Sequence, residues 1–346
     1  MVLKTLDDHL DAVVRTGVPG AVATAAGPGF RWERAAGLAD LETNERLRPD
    51  HRFRIGSVMK VFVATVVLQL VEEGALALDG DAGPIAEGVT IRQLLNHTSG
   101  FPNFHDDFLS LLEPYRKNRN QRWWLTPREQ LAMAKERPRL FPPGTGWSYT
   151  GTNYLMLGLI VEETTGATLR EELRRRIVEP LGLEATDLAE HVSCVGGLAR
   201  GYLPADNPLL PGPSSVDVTD LDLPFNWAGG GIVSTARDVA RFLQALLSGE
   251  LLPARLRTEM LKTVVSDWPE CDGYGLGIGE ITSLMGKSKS SCGPAWGHLG
   301  FSAGYTAIAL ASEDGDRHVV IMINIDFESD ETWQALGRLA WAAYCS

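Results

Sequence analysis

The sequence predicts an α/β (α+β) fold in which both ends of the chain build one antiparallel, five-stranded sheet and a mostly helical region is inserted between them. Strand-like runs gather near the termini, separated by turn residues such as Gly-Pro-Gly at positions 27–29. The five runs are Ala21–Ala26, Phe30–Leu38, Tyr274–Gly279, Tyr305–Ala311 and His318–Ile325. Strands from both ends with helices between them indicate a single shared sheet. We expect a discontinuous sheet domain, residues 1–78 and 250–346, a helical domain, residues 79–249, and a cleft where they meet.

The helices are predicted from apolar periodicity and from signals at their ends. Ser234 and Thr235, for example, are good caps for the helix that follows them. The predicted helices that flank the sheet or fill the middle region are Leu6–Thr16, Ile91–Leu95, Pro127–Lys135, Asn153–Thr165, Leu169–Val178, Ala236–Ser248 and Thr332–Tyr344. The density of Pro, Asp and Ser between residues 203 and 224 predicts a long surface loop.

One further helix has a polar pair at the start of an otherwise apolar element. From Val61 to Val71 nearly every residue is apolar, which predicts burial on all sides, and Gly74 ends the helix. Ser57 and Lys60 lie three residues apart and therefore on the same side. A buried ammonium is costly unless it has partners or loses its proton, so Lys60 is a candidate base beside a candidate nucleophile. The alternative for Ser57 is a plain helix cap.

Two more residues are candidates for proton transfer at the same site. Tyr149 lies on a loop just ahead of an apolar helix, where its phenol can pass a proton in a cleft, although a structural tyrosine is the alternative. His298 enters a strand within Trp-Gly-His-Leu-Gly and could donate into the site, whereas a lone histidine in a strand is more often a core residue. We assign His97, in Leu94–Gly100, the structural role of fastening a loop.

Composition excludes several classes of partner. A net charge of −12 disfavours nucleic acids and anionic membranes, which would repel the protein, and no apolar run is long enough to span a bilayer. The four cysteines and the scattered histidines lack metal-site spacing, so we expect neither a metal nor another cofactor. The first residues lack the pattern of a secretory signal, so we expect a cytoplasmic location. We also expect the protein to be a monomer.

Three motifs together resemble those of the serine β-lactamase and penicillin-binding-protein family. Ser57-x-x-Lys60, Tyr149-x-Gly151 and His298-x-Gly300 match its motifs in order and approximate spacing. The family includes class C β-lactamases, D,D-carboxypeptidases, D-aminopeptidases, and esterases and acyltransferases of the β-lactamase type. The likeness runs from about Val18 to Cys345 and is greatest to a soluble D,D-carboxypeptidase whose third motif is His-Thr-Gly.

The resemblance implies a role for each motif residue. Ser57 would attack a carbonyl to give an acyl-enzyme, while Lys60 and Tyr149 shuttle the proton, with the identity of the base left open. The backbone N–H groups of Ser57 and Phe301 would form the oxyanion hole. Trp227 aligns with an aromatic residue that borders the family's pocket.

Departures from the family pattern alter the expected substrate. Gly151 replaces an asparagine that holds the lysine and the substrate, so those hydrogen bonds must come from elsewhere or be absent. Leu299 and Phe301 replace threonines that help bind a terminal carboxylate, and residues 276–292 offer only Lys287 and Lys289. A D-alanyl-D-alanine tail is therefore disfavoured, and an uncharged or apolar leaving side should fit Leu299 and Phe301 better.

The expected function is that of a serine acyl-enzyme hydrolase or acyltransferase acting on a small-molecule ester or amide. For the transfer reaction, an amine is the candidate acyl acceptor. Small-molecule biosynthesis is a candidate setting. The alternatives are a D,D-carboxypeptidase, D-aminopeptidase or weak β-lactamase, and a non-catalytic penicillin-binding module. A competing motif, Gly300-Phe-Ser302-Ala-Gly304, fits a nucleophile elbow only if a helix follows it, and a strand-like run follows instead.

Two cysteines lie at informative positions. Cys292 and Cys345 align with a disulfide of the exported relative. The relative's disulfide favours a bond between them, whereas the lack of a signal at the start of this chain favours reduced thiols, so the sequence leaves both states open.

Overall fold

A computed structural model describes residues 2–104, 125–188, 196–207, 210–221, 227–269, 271–286, 288–326 and 329–346. A helix lies close to each predicted one, the second being the predicted apolar helix, and three further helices, at 179–181, 227–230 and 254–260, were not predicted. They are α1 Val2–Arg15, α2 Met59–Glu72, α3 Ile91–Leu95, α4 Pro127–Lys135, α5 Gly151–Thr165, α6 Leu169–Leu173, α7 Glu179–Leu181, α8 Trp227–Gly230, α9 Ala236–Ser248, α10 Ala254–Met260 and α11 Asp330–Tyr344. A π-helical turn, Arg174–Val178, joins α6 to α7 where one continuous helix was predicted, and 3₁₀ turns cover Gly56–Val58 and Gly83–Ile85.

The strands form one large sheet and three small ones. They are β1 Gly20–Gly27, β2 Phe30–Asp40, β3 Glu45–Arg46, β4 Phe53–Arg54, β5 Asp187–Leu188, β6 Tyr202–Leu203, β7 Val216–Asp217, β8 Ile232–Ser234, β9 Val264–Val265, β10 Gly273–Tyr274, β11 Gly279–Ile281, β12 Ser283–Leu284, β13 Ser288–Lys289, β14 Ala295–Ser302, β15 Tyr305–Ala311 and β16 His318–Ile323. The large sheet has the order β3-β2-β1-β16-β15-β14-β11-β10-β9. Its N-terminal strands therefore pair directly with the C-terminal ones, as predicted.

The five long strands of the sheet are antiparallel, with Val22 opposite Met322, Ile308 opposite Ile321 and His298 opposite Ala309. The prediction of five strands is wrong in number, because short strands extend the sheet to nine at its two edges. The predicted strand Tyr274–Gly279 is in fact a tight hairpin of β10 and β11. Gly277 turns the chain there with φ +82°, a left-handed conformation that favours glycine.

Alternation along the central strands gives the sheet two apolar faces. Even-numbered side chains of β16, such as Met322, join a core with α2 and α9, here called the inner core. Odd-numbered side chains, such as Ile321, join a core with α1 and α11, here called the outer core. The sheet is thus covered on both faces, and a side chain's position in the strand decides which core it enters.

Helix α2 is the centre of the inner core. Every residue from Met59 to Leu68 is buried, as the apolar sequence predicts. Phe62 stacks on Phe242 of α9 with ring centroids 3.6 Å apart. The start of α2 is consequently fixed in a dry environment.

The structure decides between the two cysteine states that the sequence leaves open. Cys292 and Cys345 are joined in a disulfide, with their Cα atoms 5.7 Å apart. The β12–β13 hairpin packs on α11, where Trp341 Nε1 donates to the Ser288 carbonyl at 2.9 Å. This packing brings Cys292 to the end of α11.

The predicted loop 203–224 contains some regular structure. Strands β6 and β7 pair across it, and its apolar residues form a small cluster with Ala303. Residues 208, 209 and 222–224 of the loop lie outside the described residues. Within the described ranges, no helix combines the length and apolarity that a bilayer span requires.

Candidate active site

Ser57 and Lys60 meet at the start of α2. Ser57 lies in the 3₁₀ turn that leads into the helix, and Lys60 Nζ donates to its Oγ at 2.9 Å. The same Nζ donates to the carbonyl of Gly229 in α8, also at 2.9 Å. The spacing of three residues therefore brings the two side chains into direct contact, and a carbonyl from α8 holds the amine in place.

Burial sets the charge state of Lys60. Its side chain is almost fully buried, and desolvation lowers its pKa from 10.5 to about 7. The Nζ lies 5.0 Å from the ring centroid of Tyr149 and 5.5 Å from that of Tyr154. No carboxylate forms an ion pair with Lys60 in the part of the chain that the structure describes. A large fraction of this amine is thus unprotonated near neutral pH.

The backbone of β14 lies against the turn that carries Ser57. Strand β11 pairs with β14 only along Ala295–Gly297. Beyond that point, a Cβ atom on Gly56 would lie 2.6 Å from the backbone nitrogen of Phe301, and one on Gly300 would lie 3.2 Å from that of Ser57. Gly56 also has φ +50°. Glycine at both positions allows the close approach of two backbone segments whose N–H groups are, by the family resemblance, the expected oxyanion donors.

Four aromatic side chains, Tyr149, Trp268, Tyr274 and His298, form what we call the aromatic wall. Trp268 stacks on Tyr149 with centroids 5.1 Å apart and an interplanar angle of 28°, and lies 4.9 Å from the ring of His298. The rings of Tyr149 and His298 are 6.0 Å apart. Sequence reasoning missed Trp268 and Tyr274, because a tryptophan in a loop and a tyrosine in a short strand have no spacing relation to Tyr149.

His298 differs from its predicted role. It is fully buried, its Nδ1 contacts the carbonyl oxygen of Leu299, and its Nε2 lies 3.0 Å from the Tyr274 hydroxyl. Since a carbonyl only accepts, Nδ1 carries the proton and Nε2 accepts from Tyr274. Burial lowers the pKa of His298 to about 3, so the ring is neutral. The expectation that His298 donates into the site is therefore wrong, and its ring instead anchors the aromatic wall.

The side chains of Leu299 and Phe301 also correct the prediction from the sequence. Leu299 is fully buried in the outer core, and the Phe301 ring lies 5.9 Å from that of Trp333 in α11. Odd-numbered side chains of β14 point to the outer face because successive residues of a strand alternate. Neither side chain therefore forms an apolar surface beside Ser57, which Phe301 approaches only with its backbone.

Gly151 replaces the family's asparagine, and another asparagine lies against it. The Gly151 N–H donates to Oδ1 of Asn103 at 3.0 Å, and the Thr150 hydroxyl donates to the same oxygen at 3.3 Å. Asn103 was missed because it lies 48 residues upstream of Gly151. Its approach to Gly151 depends on the path of the loop after α3, which no local pattern in the sequence specifies.

Trp227 begins α8, the helix whose Gly229 holds Lys60. Its ring packs so closely on α5 that a Cβ atom on Gly158 would lie 2.9 Å from it. That Trp227 borders the substrate pocket stays a prediction.

The competing elbow motif is excluded by topology. Strand β14 ends at Ser302 and turns directly into β15, so no helix follows that serine. The Leu94–Gly100 loop is fastened to α5, since Ser99 Oγ donates to Asn153 Oδ1 at 2.6 Å. The described residues contain no cluster of His, Cys, Asp or Glu that could hold a metal ion.

Comparison with known proteins identifies relatives of the whole chain. The family model described as Beta-lactamase matches residues 5–340. A D-stereospecific amidohydrolase from Streptomyces sp. is 33% identical, with a TM-score of 0.82 over 96% of this chain and 98% of that one. The D-amino acid amidase from Ochrobactrum anthropi SV3, complexed with L-phenylalanine amide, is 28% identical, with a TM-score of 0.85 over 99% of this chain and 98% of that one.

A curated relative extends the comparison to esters. Esterase EstB of Burkholderia gladioli is 29% identical over 77% of this chain and 75% of its own length. The chain spans between 61% and 75% of the length of EstB and two penicillin-binding proteins that also match. These relatives are serine hydrolases and penicillin-binding proteins of one fold.

Proposed function

Because the chain belongs to the β-lactamase family, we propose that it is a serine hydrolase that forms an acyl-enzyme at Ser57 from a small-molecule amide or ester. One observation carries the proposal: Lys60 Nζ lies 2.9 Å from Ser57 Oγ, at a site where burial lowers the pKa of the amine to about 7. A hydroxyl beside an amine that is unprotonated near neutral pH is an activated nucleophile.

In the acylation step, the neutral Lys60 amine accepts the Ser57 proton as Oγ bonds to the substrate carbonyl carbon. The carbonyl oxygen becomes an oxyanion, which the backbone N–H groups of Ser57 and Phe301 stabilise by about 3–4 kcal/mol per donor. Collapse of this intermediate expels the leaving amine or alcohol, which takes up a proton through Tyr149, whose ring lies beside the Lys60 amine. The products are the acyl-enzyme and the free leaving group.

Deacylation repeats this sequence with water as the nucleophile. A water molecule gives a proton to the same pair as its oxygen bonds to the ester carbon. The C–Oγ bond then breaks, the pair returns the proton to Ser57 Oγ, and the free acid leaves. An amine that enters instead of water would yield a new amide, so transfer is the competing outcome at the same intermediate. A monomeric state and a cytoplasmic location, both expected from the sequence, stay predictions.

We propose amides of D-amino acids and uncharged esters as the substrate class. The similar structures are a D-stereospecific amidohydrolase and a D-amino acid amidase, and EstB is an esterase. The leaving side would contact the aromatic wall and the backbone of Gly300 and Phe301, which supply stacking surface and hydrogen bonds without a guanidinium. Such a surface favours a neutral leaving group over a carboxylate.

The test is turnover of a matched substrate panel. Purified protein is incubated with D- and L-phenylalanine amide, an activated ester, a D-alanyl-D-alanine peptide and a penicillin, and products are followed by mass spectrometry. The Ser57→Ala variant removes the nucleophile, and Ser302→Ala, at the serine of the rejected motif, serves as the control.

We expect the parent protein to turn over the amide or the ester. The Ser57→Ala variant should lose this activity, and the Ser302→Ala variant should keep it. Turnover confined to the D-alanyl peptide or the penicillin would overturn the substrate class, and turnover that survives in Ser57→Ala would overturn the mechanism.

A further inference from the structure

His97 contacts the backbone on both sides of Tyr149. Its carbonyl oxygen accepts from the Ser148 N–H at 3.0 Å, and its Nδ1 accepts from the Thr150 N–H at 3.3 Å. The imidazole ring lies 4.5 Å from the Tyr149 ring, centroid to centroid. The N–H groups of the residues before and after Tyr149 are thus both bound by one residue, and the same residue packs against the phenol ring.

These contacts fix the tautomer of His97. A backbone N–H only donates, so Nδ1 must be unprotonated, and the side-chain amide of Asn153 donates to the same nitrogen at 3.2 Å. The proton is therefore on Nε2, a buried atom with no hydrogen-bond partner among the described residues. The ring of Tyr274 also packs against the imidazole, with centroids 4.9 Å apart. An acceptor nitrogen faces the Tyr149 backbone, and the rest of the ring packs among aromatic side chains.

The environment keeps His97 in this form. The residue is fully buried, and burial together with the neighbouring Lys60 and His298 holds its pKa well below 6.5. Its backbone has φ +64°, a left-handed conformation that is costly for most residues with a side chain. His97 therefore combines a strained backbone conformation with an Nδ1 that only accepts hydrogen bonds, and its ring contacts Tyr149.

We propose that His97 is a positioning residue that sets the Tyr149 phenol for proton transfer at Ser57, an inference that rests on the proposed function. The hydrogen bonds from the Ser148 and Thr150 N–H groups hold the backbone before and after Tyr149, and the imidazole packs against its ring. Holding the phenol to within a fraction of an ångström matters because proton transfer depends steeply on distance.

Two polar substitutions at His97 test the hydrogen bond that Nδ1 accepts separately from the packing of the imidazole ring. In His97→Asn, the amide oxygen reaches the place of Nδ1 and can accept from Thr150, and asparagine tolerates a positive φ. In His97→Gln, the amide extends to the place of Nε2 and leaves the Thr150 N–H without its acceptor. The two variants differ in the contact that the inference invokes and in their tolerance of the φ of +64°, so their rates are compared per folded site.

The experiment measures the acylation rate per active site with an activated ester, using the burst amplitude to count folded sites. We expect His97→Asn to stay within about 3-fold of the parent protein and His97→Gln to lose roughly 10- to 100-fold, with little change in KM. Equal rates in the two variants would overturn the inference.

A double-mutant cycle that combines His97→Gln with Tyr149→Phe measures the coupling between the two residues in the acylation rate. A merely structural role of His97 would not produce such coupling. If His97 acts through Tyr149, His97→Gln should cost less than about 2-fold once the phenol hydroxyl is gone. Losses that multiply in the double variant would overturn the inference while leaving the acyl-enzyme proposal intact. Failure of the parent protein to acylate Ser57 would instead overturn the proposed function itself.

Discussion

The two sides of the candidate site are built by different physical means. On the first, Ser57 and Lys60 depend on apolar burial, because α2 is surrounded by the inner core and desolvation alone lowers the pKa of Lys60 to about 7. On the second, the aromatic wall depends on directed contacts, such as the Tyr274 hydroxyl bound to His298 Nε2. Burial creates a reactive group, whereas hydrogen bonds and stacking fix the groups that face it.

The difference teaches that a lowered pKa alone does not identify a base. Lys60 and His298 are both buried and both have lowered pKa values, about 7 and about 3. Only Lys60 contacts the hydroxyl of Ser57, since both His298 nitrogens are occupied within the protein. Geometry therefore decides which of the two can accept a proton from the nucleophile.

The largest effect should come from removing the amine. Lys60→Met keeps the length of the side chain without a base, so acylation should fall by about 10²- to 10⁴-fold. The same variant removes a buried amine and should raise the free energy of unfolding by about 1–2 kcal/mol at pH 7. The gain follows because the unfolded chain binds more protons than the folded one between pH 7 and pH 10.5.

Ester kinetics and urea unfolding of the Lys60→Met variant measure both quantities. Lys60→Arg, which keeps a charge, should lose activity without gaining stability. A loss of activity together with a loss of stability in Lys60→Met would contradict the view that burial of this amine opposes folding.

A substitution on the outer face should separate stability from catalysis. Leu299→Ala removes a fully buried side chain from the outer core and should lower the free energy of unfolding by about 2–5 kcal/mol. Because this side chain points away from Ser57, KM for an ester should stay within error for the folded fraction. A several-fold change in KM with unchanged urea stability would restore Leu299 to the substrate site.

The pH dependence of kcat/KM should follow the titration of Lys60, on the first side of the site, and not that of His298, on the second. A base must be unprotonated, so kcat/KM should rise about 10-fold per pH unit below pH 7 and level off above it, as Lys60 loses its proton. His298, with its pKa near 3, should add no step between pH 5 and pH 9. A profile that keeps rising to pH 10 would contradict a lowered pKa for Lys60.

The smallest effect should come from the stacking residue of the aromatic wall. Trp268→Ala removes the ring that stacks on Tyr149 and should weaken transition-state binding by about 0.5–1.5 kcal/mol, or roughly 2- to 12-fold in kcat/KM. Trp268→Phe keeps an aromatic face and should recover most of the loss. Equal kinetics for the two variants would exclude stacking as the contribution of Trp268.

The sequence predicts the first side of the site well and the second poorly. Ser57 and Lys60 were found because helical periodicity relates residues three apart, and burial of α2 follows from its apolar run. Trp268, Asn103 and the Gly229 carbonyl were missed because their positions depend on how distant loops and the start of α8 meet the cleft. No local pattern carries that information.

The strands, too, have features that local sequence predicts and features that depend on tertiary packing. Alternation predicts that β14 has two faces, yet which face Leu299 takes depends on pairing with β15 and on the position of α11. The disulfide likewise follows from packing of the β12–β13 hairpin on α11, which the cysteine spacing does not reveal. Local chemistry was predictable, and orientation in the fold was not.

The most direct measurement of the central claim is the mass of the protein after reaction with an activated ester and an acid quench. Formation of an acyl-enzyme predicts the addition of one acyl group, located by peptide mapping on the segment that contains Ser57, and no addition in Ser57→Ala. An unmodified parent protein that still turns over the ester, or an adduct retained in Ser57→Ala, would contradict the account.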